Sequence, residues 1–351
     1  MRRLALIGTL LILVLSSCGS DTPSTIETKP ESLTLVAYDS FAVDDAAFAD
    51  FTAATGIKVR IVKSGDAGTM LSKAQLTAGN PEGDVLWGVD NTLLSRAVEA
   101  EVFTPYESSD KQALAKDAIA LVVNDLVTPV DQGDVCLNYD IAWFAEHGLD
   151  VPVTLDDLAK PAYKDLLVVE NPATSSTGLA FMLGTIAHVG EKDWTQYWTS
   201  LRANGVAIVD SWEQAYYEQF SGSSGKGPRP LVVSYASSPP AEVIFTDPRP
   251  TTAPTGVIEA TCFHQVEFAG VLRGTKFPTA AGQLIDFLIS KKFQETLPLS
   301  LFVNPVRSDA TLPQEFIDFS VQPKFPLTMT PAAIETGAKN WIAIWTDLMV
   351  R

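Results

Sequence analysis

Leu33-Thr34-Leu35-Val36-Ala37 runs directly into Tyr38-Asp39-Ser40-Phe41-Ala42, and this junction constrains the chain more than any other stretch. Leu33, Leu35 and Ala37 fall on one face and Thr34 and Val36 on the other, the pattern of a strand covered on both sides. Asp39 or Ser40 is placed to cap the helix expected from near Asp44. In an open α/β sheet, ligands sit just beyond the carboxyl ends of the strands. Tyr38, Asp39 and Ser40 occupy that position with an aromatic face, a carboxylate and a hydroxyl. The same three residues also make an ordinary βα turn with a capping carboxylate, so the turn alone leaves both readings open.

The next segments repeat the pattern. Ile57 to Val62 alternates as a strand and is followed by the Gly-rich turn Lys63-Ser64-Gly65-Asp66-Ala67-Gly68-Thr69, then by a helix over Met70 to Ala78. Asp84 to Trp87 reads as a third strand, with the turn Gly88-Val89-Asp90-Asn91 and a helix over Thr92 to Ala100 behind it. Three βα units in series argue for a parallel sheet with covering helices. Each turn carries one carboxylate, Asp39, Asp66 or Asp90, and convergence at one sheet edge would gather them around a single ligand.

The middle of the chain is less regular. Leu126 to Val130 and Val135 to Tyr139 read as two strands joined by Asp131-Gln132-Gly133-Asp134. Leu166 to Val169 is a strand leading into Asn171-Pro172-Ala173-Thr174-Ser175-Ser176-Thr177-Gly178. A hydroxyl-rich helix start of this kind suits either a polar or anionic ligand atom or simple capping. Val206 to Val209 and Leu231 to Tyr235 are strands, and a helix begins at Ser211-Trp212-Glu213-Gln214-Ala215-Tyr216-Tyr217. Phe263 to Val271 is a strand placing Cys262, His264, Val266 and Phe268 on one face. Ala280 to Leu297 is helical with a break near Ser290, and Trp341 to Leu348 lies in a final amphipathic helix.

Residues 1–17 stand outside the fold. Arg2 and Arg3 precede an apolar run of about twelve residues, Leu4 to Leu15, too short to span a bilayer. Leu15-Ser16-Ser17-Cys18-Gly19 resembles a bacterial lipobox, which implies cleavage before Cys18 and lipid on its thiol. Residues 18–32 read as a polar tether. Loss of Arg2 and Arg3 takes the formal charge from −17 to −19. So acidic a chain is poorly suited to nucleic acid or anionic membrane surfaces. Membrane association is expected through the lipid anchor alone. After Cys18 only Cys136 and Cys262 remain, an even pair that suggests a disulfide in an exported chain. His147, His188 and His264 are scattered and offer no metal-ligand spacing, so no metal or cofactor is expected. Gly-x-Ser-x-Gly, His-Glu-x-x-His and a phosphate-loop spacing are all absent, which argues against an enzyme.

The order of these pieces resembles the type II periplasmic-type solute-binding proteins of ABC importers, and within them the thiamine-binding proteins. The resemblance rests on Tyr38-Asp39-Ser40-Phe41-Ala42, Gly88-Val89-Asp90-Asn91, Trp212-Glu213-Gln214-Ala215-Tyr216, Ser234-Tyr235-Ala236-Ser237-Ser238-Pro239, and the segment from Pro298 to Val306. It covers the chain from about Leu33 to Trp345. It implies an α/β fold of two lobes, with mixed, mostly parallel sheets joined by a two-strand hinge. Lobe 1 would comprise residues 33–134 and 264–305, lobe 2 residues 135–263, and residues 306–351 a helical segment packed on both. The crossings would fall near Gln132 to Tyr139 and Cys262 to Phe268, where a Cys136–Cys262 bond would staple the hinge.

The resemblance further implies an interlobe site for thiamine or a thiamine phosphate. Thiamine carries a fixed thiazolium cation, matched by aromatic faces and carboxylates, and a pyrimidine that stacks and hydrogen-bonds. Tyr38, Trp212, Tyr216 and Tyr235 are candidate walls, with Phe302 closing the set. Asp39, Asp66 and Asp90 are candidate counter-charges, and Ser40, Ser175, Ser176 and Thr177 candidate hydroxyl contacts. The implied protein is a monomeric, lipid-anchored receptor on the outer face of the cytoplasmic membrane that hands its ligand to an ABC permease. Two departures stand out: Val43-Asp44-Asp45-Ala46 lies where the family often has Trp, and Phe302 replaces a second Trp. The adjacent Tyr216-Tyr217 pair also admits a ferric-iron reading, and the charge admits a polyamine.

Overall fold

The computed structural model describes residues 28–351. The lipobox, Cys18 and most of the tether lie outside the described residues. Ten strands form one curled sheet: β1 Ser32–Ala37, β2 Lys58–Lys63, β3 Val85–Asp90, β4 Phe103–Thr104, β5 Thr128–Asp140, β6 Leu167–Glu170, β7 Ala207–Val209, β8 Leu231–Tyr235, β9 Thr255–Leu272 and β10 Asn304–Pro305. The spatial order is β2-β1-β3-β9-β5-β8-β6-β7, with β4 beside β9 and β10 beside β5. β1 runs parallel to β2 and β3, and β6 runs parallel to β7 and β8. The two parallel groups are bridged by β5 and β9, which pair antiparallel to one another. This is a two-lobed α/β fold with a two-strand hinge.

The opening strand behaves as its alternation demands. Leu33, Leu35 and Ala37 are fully buried and Val36 nearly so, because helices cover both sheet faces. The helix that follows is capped by neither Asp39 nor Ser40. Asp44 takes that role, its Oδ1 accepting from the Ala46 and Ala47 amides at 2.9 and 3.2 Å. Gly88 and Asp90 belong to β3 rather than to a turn, and the pairing with β9 slips between Trp87 and Val89. Gly88 adopts φ +122°, and a Cβ there would meet the Tyr38 ring at 2.4 Å, so only glycine fits.

Asp131 to Asp134 do not form a loop. Thr128 to Asp140 is continuous, because the whole stretch finds ladder partners on β9, from Thr128 against Ala269 to Asp140 against Thr255. Polar residues inside the stretch mimic a turn, yet burial between two neighbours holds them extended. Cys136 and Cys262 sit on these strands, almost fully buried, and are joined as a disulfide.

The final helix, Pro331–Met349, buries Ile334, Ala338, Trp341, Trp345 and Met349, spaced three or four residues apart on one face. It packs against helix Trp194–Ala203 and helix Leu94–Glu99, which belong to opposite halves of the chain. Trp345 meets Trp198 edge to face at 5.3 Å. No helix among the described residues is long and apolar enough to cross a membrane.

The disulfide closes a loop of 126 residues in sequence separation. Replacing both cysteines by alanine should lower unfolding stability by about 2–5 kcal/mol. Calorimetry of the variant beside reduced and oxidised wild type measures the loss; equal transition temperatures would mean that the bridge adds nothing.

Candidate functional site

The carboxyl ends of β1, β2, β6 and β8 open onto one cleft between the halves, with a cavity of about 470 Å³. Tyr38, Ser40, Asp66, Ser176, Thr177, Trp212, Tyr216, Tyr235 and Phe302 line it. Residues from remote parts of the sequence meet there because β6, β7 and β8 run opposite to β1, β2 and β3, so the turns at the carboxyl ends of the two groups face one another across the seam.

Its aromatic wall is layered. Trp212 stacks on Tyr216 with centroids 4.9 Å apart and planes 16° from parallel. Tyr217 stands edge-on to both, 5.5 and 5.4 Å away. The indole is fixed by its Nε1–H, which donates to Ser234 Oγ at 3.0 Å. Ser234 Oγ in turn lies 2.8 Å from Ser238 Oγ. Tyr216 is nearly fully buried behind Trp212, while Tyr217 is 44% exposed. Phe302 faces Phe245 edge to face at 5.7 Å, so one ring from each half meets at this wall. Phe302 holds φ +56°, a left-handed conformation that bulky residues rarely adopt. Its carbonyl accepts from Ser237 Oγ at 2.5 Å, which ties the segment to the opposite half.

Asp66 joins the two sides. Its Oδ1 caps helix Ala67–Leu76 by accepting from the Ala67 amide, and its Oδ2 accepts from the Trp212 amide at 2.9 Å. Burial pushes its carboxyl up to about 6, opposed by the amides of Trp212 and Ala67 and by Ser175 and Ser176. The Thr69 amide donates to the Thr174 carbonyl at 3.1 Å, a second bond across the cleft. There Gly68 permits backbone-to-backbone contact: a Cβ on it would lie 2.7 Å from the Thr174 oxygen.

Three expected site residues do not reach the cavity wall. Asp39 clips two turns together, accepting from the Gly65 amide at 2.8 Å while its own amide donates to the Gly65 carbonyl at 3.1 Å. It positions the turn that carries Asp66. Asp90 is fully buried and caps its own turn through Thr92 and Leu93, at 2.6 to 3.0 Å. Burial pushes it up to about 6. Ser175 is buried, with its hydroxyl 2.9 Å from Thr177 Oγ1. It precedes helix Ser176–Val189, so Ser176 and Thr177 face the cavity in its place.

Glu267, Lys63, Glu213 and Phe245 also line the cavity without having been expected there, and of the adjacent tyrosines both Tyr216 and Tyr217 line it. Glu267 carried a legible signal, as the one carboxylate inside the stretch from Phe263 to Val271. Burial, reinforced by Asp131 and Asp90, pushes its carboxyl well above the usual range. Lys63 is the single basic residue of the wall, against Asp44, Asp66, Glu213 and Glu267. Such a cleft is net negative and aromatic, chemistry suited to a flat organic cation.

The chain matches the family of bacterial extracellular solute-binding proteins over residues 80–318. It is 28% identical over 326 residues to the thiamine-binding periplasmic protein of Salmonella typhimurium, covering 91% of this chain and 94% of that one. A solved periplasmic thiamin binding protein superimposes with a TM-score of 0.80 at 26% identity, over 91% of this chain and 96% of the other. Iron-bound HitA from Pseudomonas aeruginosa shares the fold, with a TM-score of 0.70 at 21% identity over 91% and 99%. The extent of the family match, on a cleft built at the ends of parallel strands, makes this chain a member of the bacterial extracellular solute-binding proteins.

Proposed function

We propose that this protein is a receptor for thiamine, or a thiamine phosphate, and delivers it to an ABC permease. In this reading Cys18 carries a lipid that holds the protein at the outer face of the cytoplasmic membrane. The observation that carries the ligand assignment is the cleft's combination of a stacked Trp212–Tyr216 wall with four carboxylates and a single lysine. A thiazolium keeps its charge at every pH, so aromatic faces and carboxylates attract it without the ligand itself having to gain a proton. The cavity is also of ordinary size for a small organic ligand. Ser176 and Thr177, at the amino end of a 14-residue helix, and Lys63 suit a phosphate ester where one is present. The relatives named for thiamine support the same choice.

The adjacent tyrosines favour iron less. Their rings lie 86° apart, and Tyr216 is occupied as the stacking partner of Trp212. Among the described residues, no group of three His, Cys, Asp or Glu side chains is gathered to hold a metal ion.

Capture requires the halves to close on the ligand, with no chemistry at the site. Asp66 to Trp212, Thr69 to Thr174 and Ser237 to Phe302 are the hydrogen bonds that would favour the closed form.

Calorimetric titration of protein stripped of carried-over ligand should give sub-micromolar thiamine binding. Trp212→Ala should weaken it about 10- to 30-fold, the equivalent of roughly 1.4–2 kcal/mol. Trp212→Phe should recover part of that loss, because it restores a ring. Undetectable binding to the wild type would overturn the ligand assignment. Gly68→Ala should weaken binding about tenfold, because the added methyl meets the Thr174 carbonyl where the two halves touch. Unchanged affinity would show that closure does not need this contact.

A further inference from the structure

Three carboxylates lie in one row across the hinge. In the strand register Glu267 on β9 stands opposite Asp90 on β3 and, on its other side, opposite Asp131 on β5. Laterally paired residues of neighbouring strands share a face. All three are at least 95% buried, and among the described residues none of them forms an ion pair.

Their hydrogen bonds separate their roles. Asp90 Oδ1 is taken up by its own turn, and its Oδ2 accepts from Gln265. Asp131 Oδ2 accepts from the buried indole Nε1–H of Trp87 at 3.0 Å. Glu267 alone of the row reaches the cavity, on the wall shared with Tyr38 and Tyr235, and its Oε2 has no hydrogen-bond partner. Its carboxyl is otherwise engaged by Asp131 and Tyr38, and a buried carboxyl beside two others is costly unless a cation arrives or a proton stays.

We propose that Glu267 is the counter-charge for the ligand's cation, and that ligand capture expels the proton this carboxyl holds in the empty cleft. The assignment rests on the thiamine reading and adds to it the residue that selects for charge, together with a pH dependence of binding. The groups facing Glu267 are Asp90 from β3, Asp131 from β5, Tyr235 from β8 and Tyr38 from the turn after β1. None of them supplies a positive charge. Burial first, and then its two neighbours, hold Glu267 up in the free protein. A bound cation reverses the sign of the local field and brings it down.

Affinity should rise with pH, by up to tenfold per unit while the free protein is still protonated at Glu267 and the complex is not. A group whose folded value lies above its unfolded value stabilises the fold fully below the unfolded value and loses that contribution as pH rises through the folded one. The free protein should therefore lose stability as pH climbs out of the ordinary carboxylate range.

The test is calorimetric titration of full-length mature protein with thiamine between pH 5.5 and 8.5, in buffers of differing ionisation enthalpy. The wild type should bind more tightly as pH rises and release up to about one proton. Glu267→Gln should bind at least about 30-fold more weakly at pH 8, with the proton release abolished. The free variant should melt at or above the wild-type temperature at pH 8, which excludes misfolding as the cause. Thiamine binding that survives in Glu267→Gln with the same pH profile overturns the proposal and leaves the receptor reading intact. No thiamine binding by the wild type removes the receptor reading, and the pair is then compared with choline and putrescine. Wild-type binding of either cation that is lost in Glu267→Gln upholds the counter-charge role, whereas equal binding, or none to the wild type, overturns it.

Discussion

The antiparallel pairing of β5 with β9 is the interaction on which the rest of this structure depends. Each half of the chain builds its own parallel group, β1 with β2 and β3, or β6 with β7 and β8. Parallel groups of this kind bury both faces under helices and direct their turns to one edge. Neither group closes a cleft by itself. The long strands supply the bridge, running from Thr128 against Ala269 near one half to Asp140 against Thr255 near the other. Their ladder slips where the disulfide crosses, between Val135 and Leu137. A covalent link at that irregularity fixes register where backbone pairing is weakest.

The bridge also determines which carboxylates remain reactive to a ligand. Asp39, Asp66 and Asp90 all end βα units, and on composition alone they are equivalent. Two of them are consumed by the architecture: Asp39 ties its turn to Gly65, and Asp90 caps the residues after it. A short acidic side chain beside free amides is captured by those amides before it can serve a ligand. Asp66 does both, capping a helix with one oxygen and holding the Trp212 amide with the other. Its burial at the seam makes it a fastener between the halves as well as part of the cavity wall.

Much of this was legible in the sequence. Strict alternation in Leu33 to Ala37 gave the opening strand, and the turn residues behind it gave the sheet edge. Tyr38 was readable from its place at a strand end, whereas Trp212, Tyr216 and Tyr235 came with the resemblance to the thiamine-binding proteins. The hinge was harder. Asp131-Gln132-Gly133-Asp134 has the composition of a turn, and only its partner strand, more than a hundred residues away, keeps it extended. Glu267 was overlooked for a related reason. Its significance lies in lateral register with Asp90 and Asp131, and register between distant strands leaves no trace in local periodicity. Asp39 and Asp90 misled in the opposite direction, since a capping carboxylate and a binding carboxylate look alike until their amide partners are known.

A buried acidic row on a hinge makes sense only in relation to what enters the cleft. Without a cation, Asp90, Glu267 and Asp131 destabilise one another whenever more than one is ionised, and the strands that carry them cannot separate without breaking the central ladder. Asp90 and Asp131 are each relieved by hydrogen bonds from within the fold, to Thr92, Leu93 and Gln265 or to Trp87. Glu267 Oε2 is left without a hydrogen bond, and the contact with Asp131 pushes the Glu267 carboxyl further up instead of relieving it. An apolar residue at that position would pack against Tyr38 and Tyr235 with no such cost, and buried polar groups can often be replaced in this way without loss of stability. A carboxyl kept there, on the wall of an aromatic cavity with one lysine among its lining residues, works against the stability of the empty protein and in favour of its cationic complex. That opposition is the physical signature of a binding residue rather than a structural one.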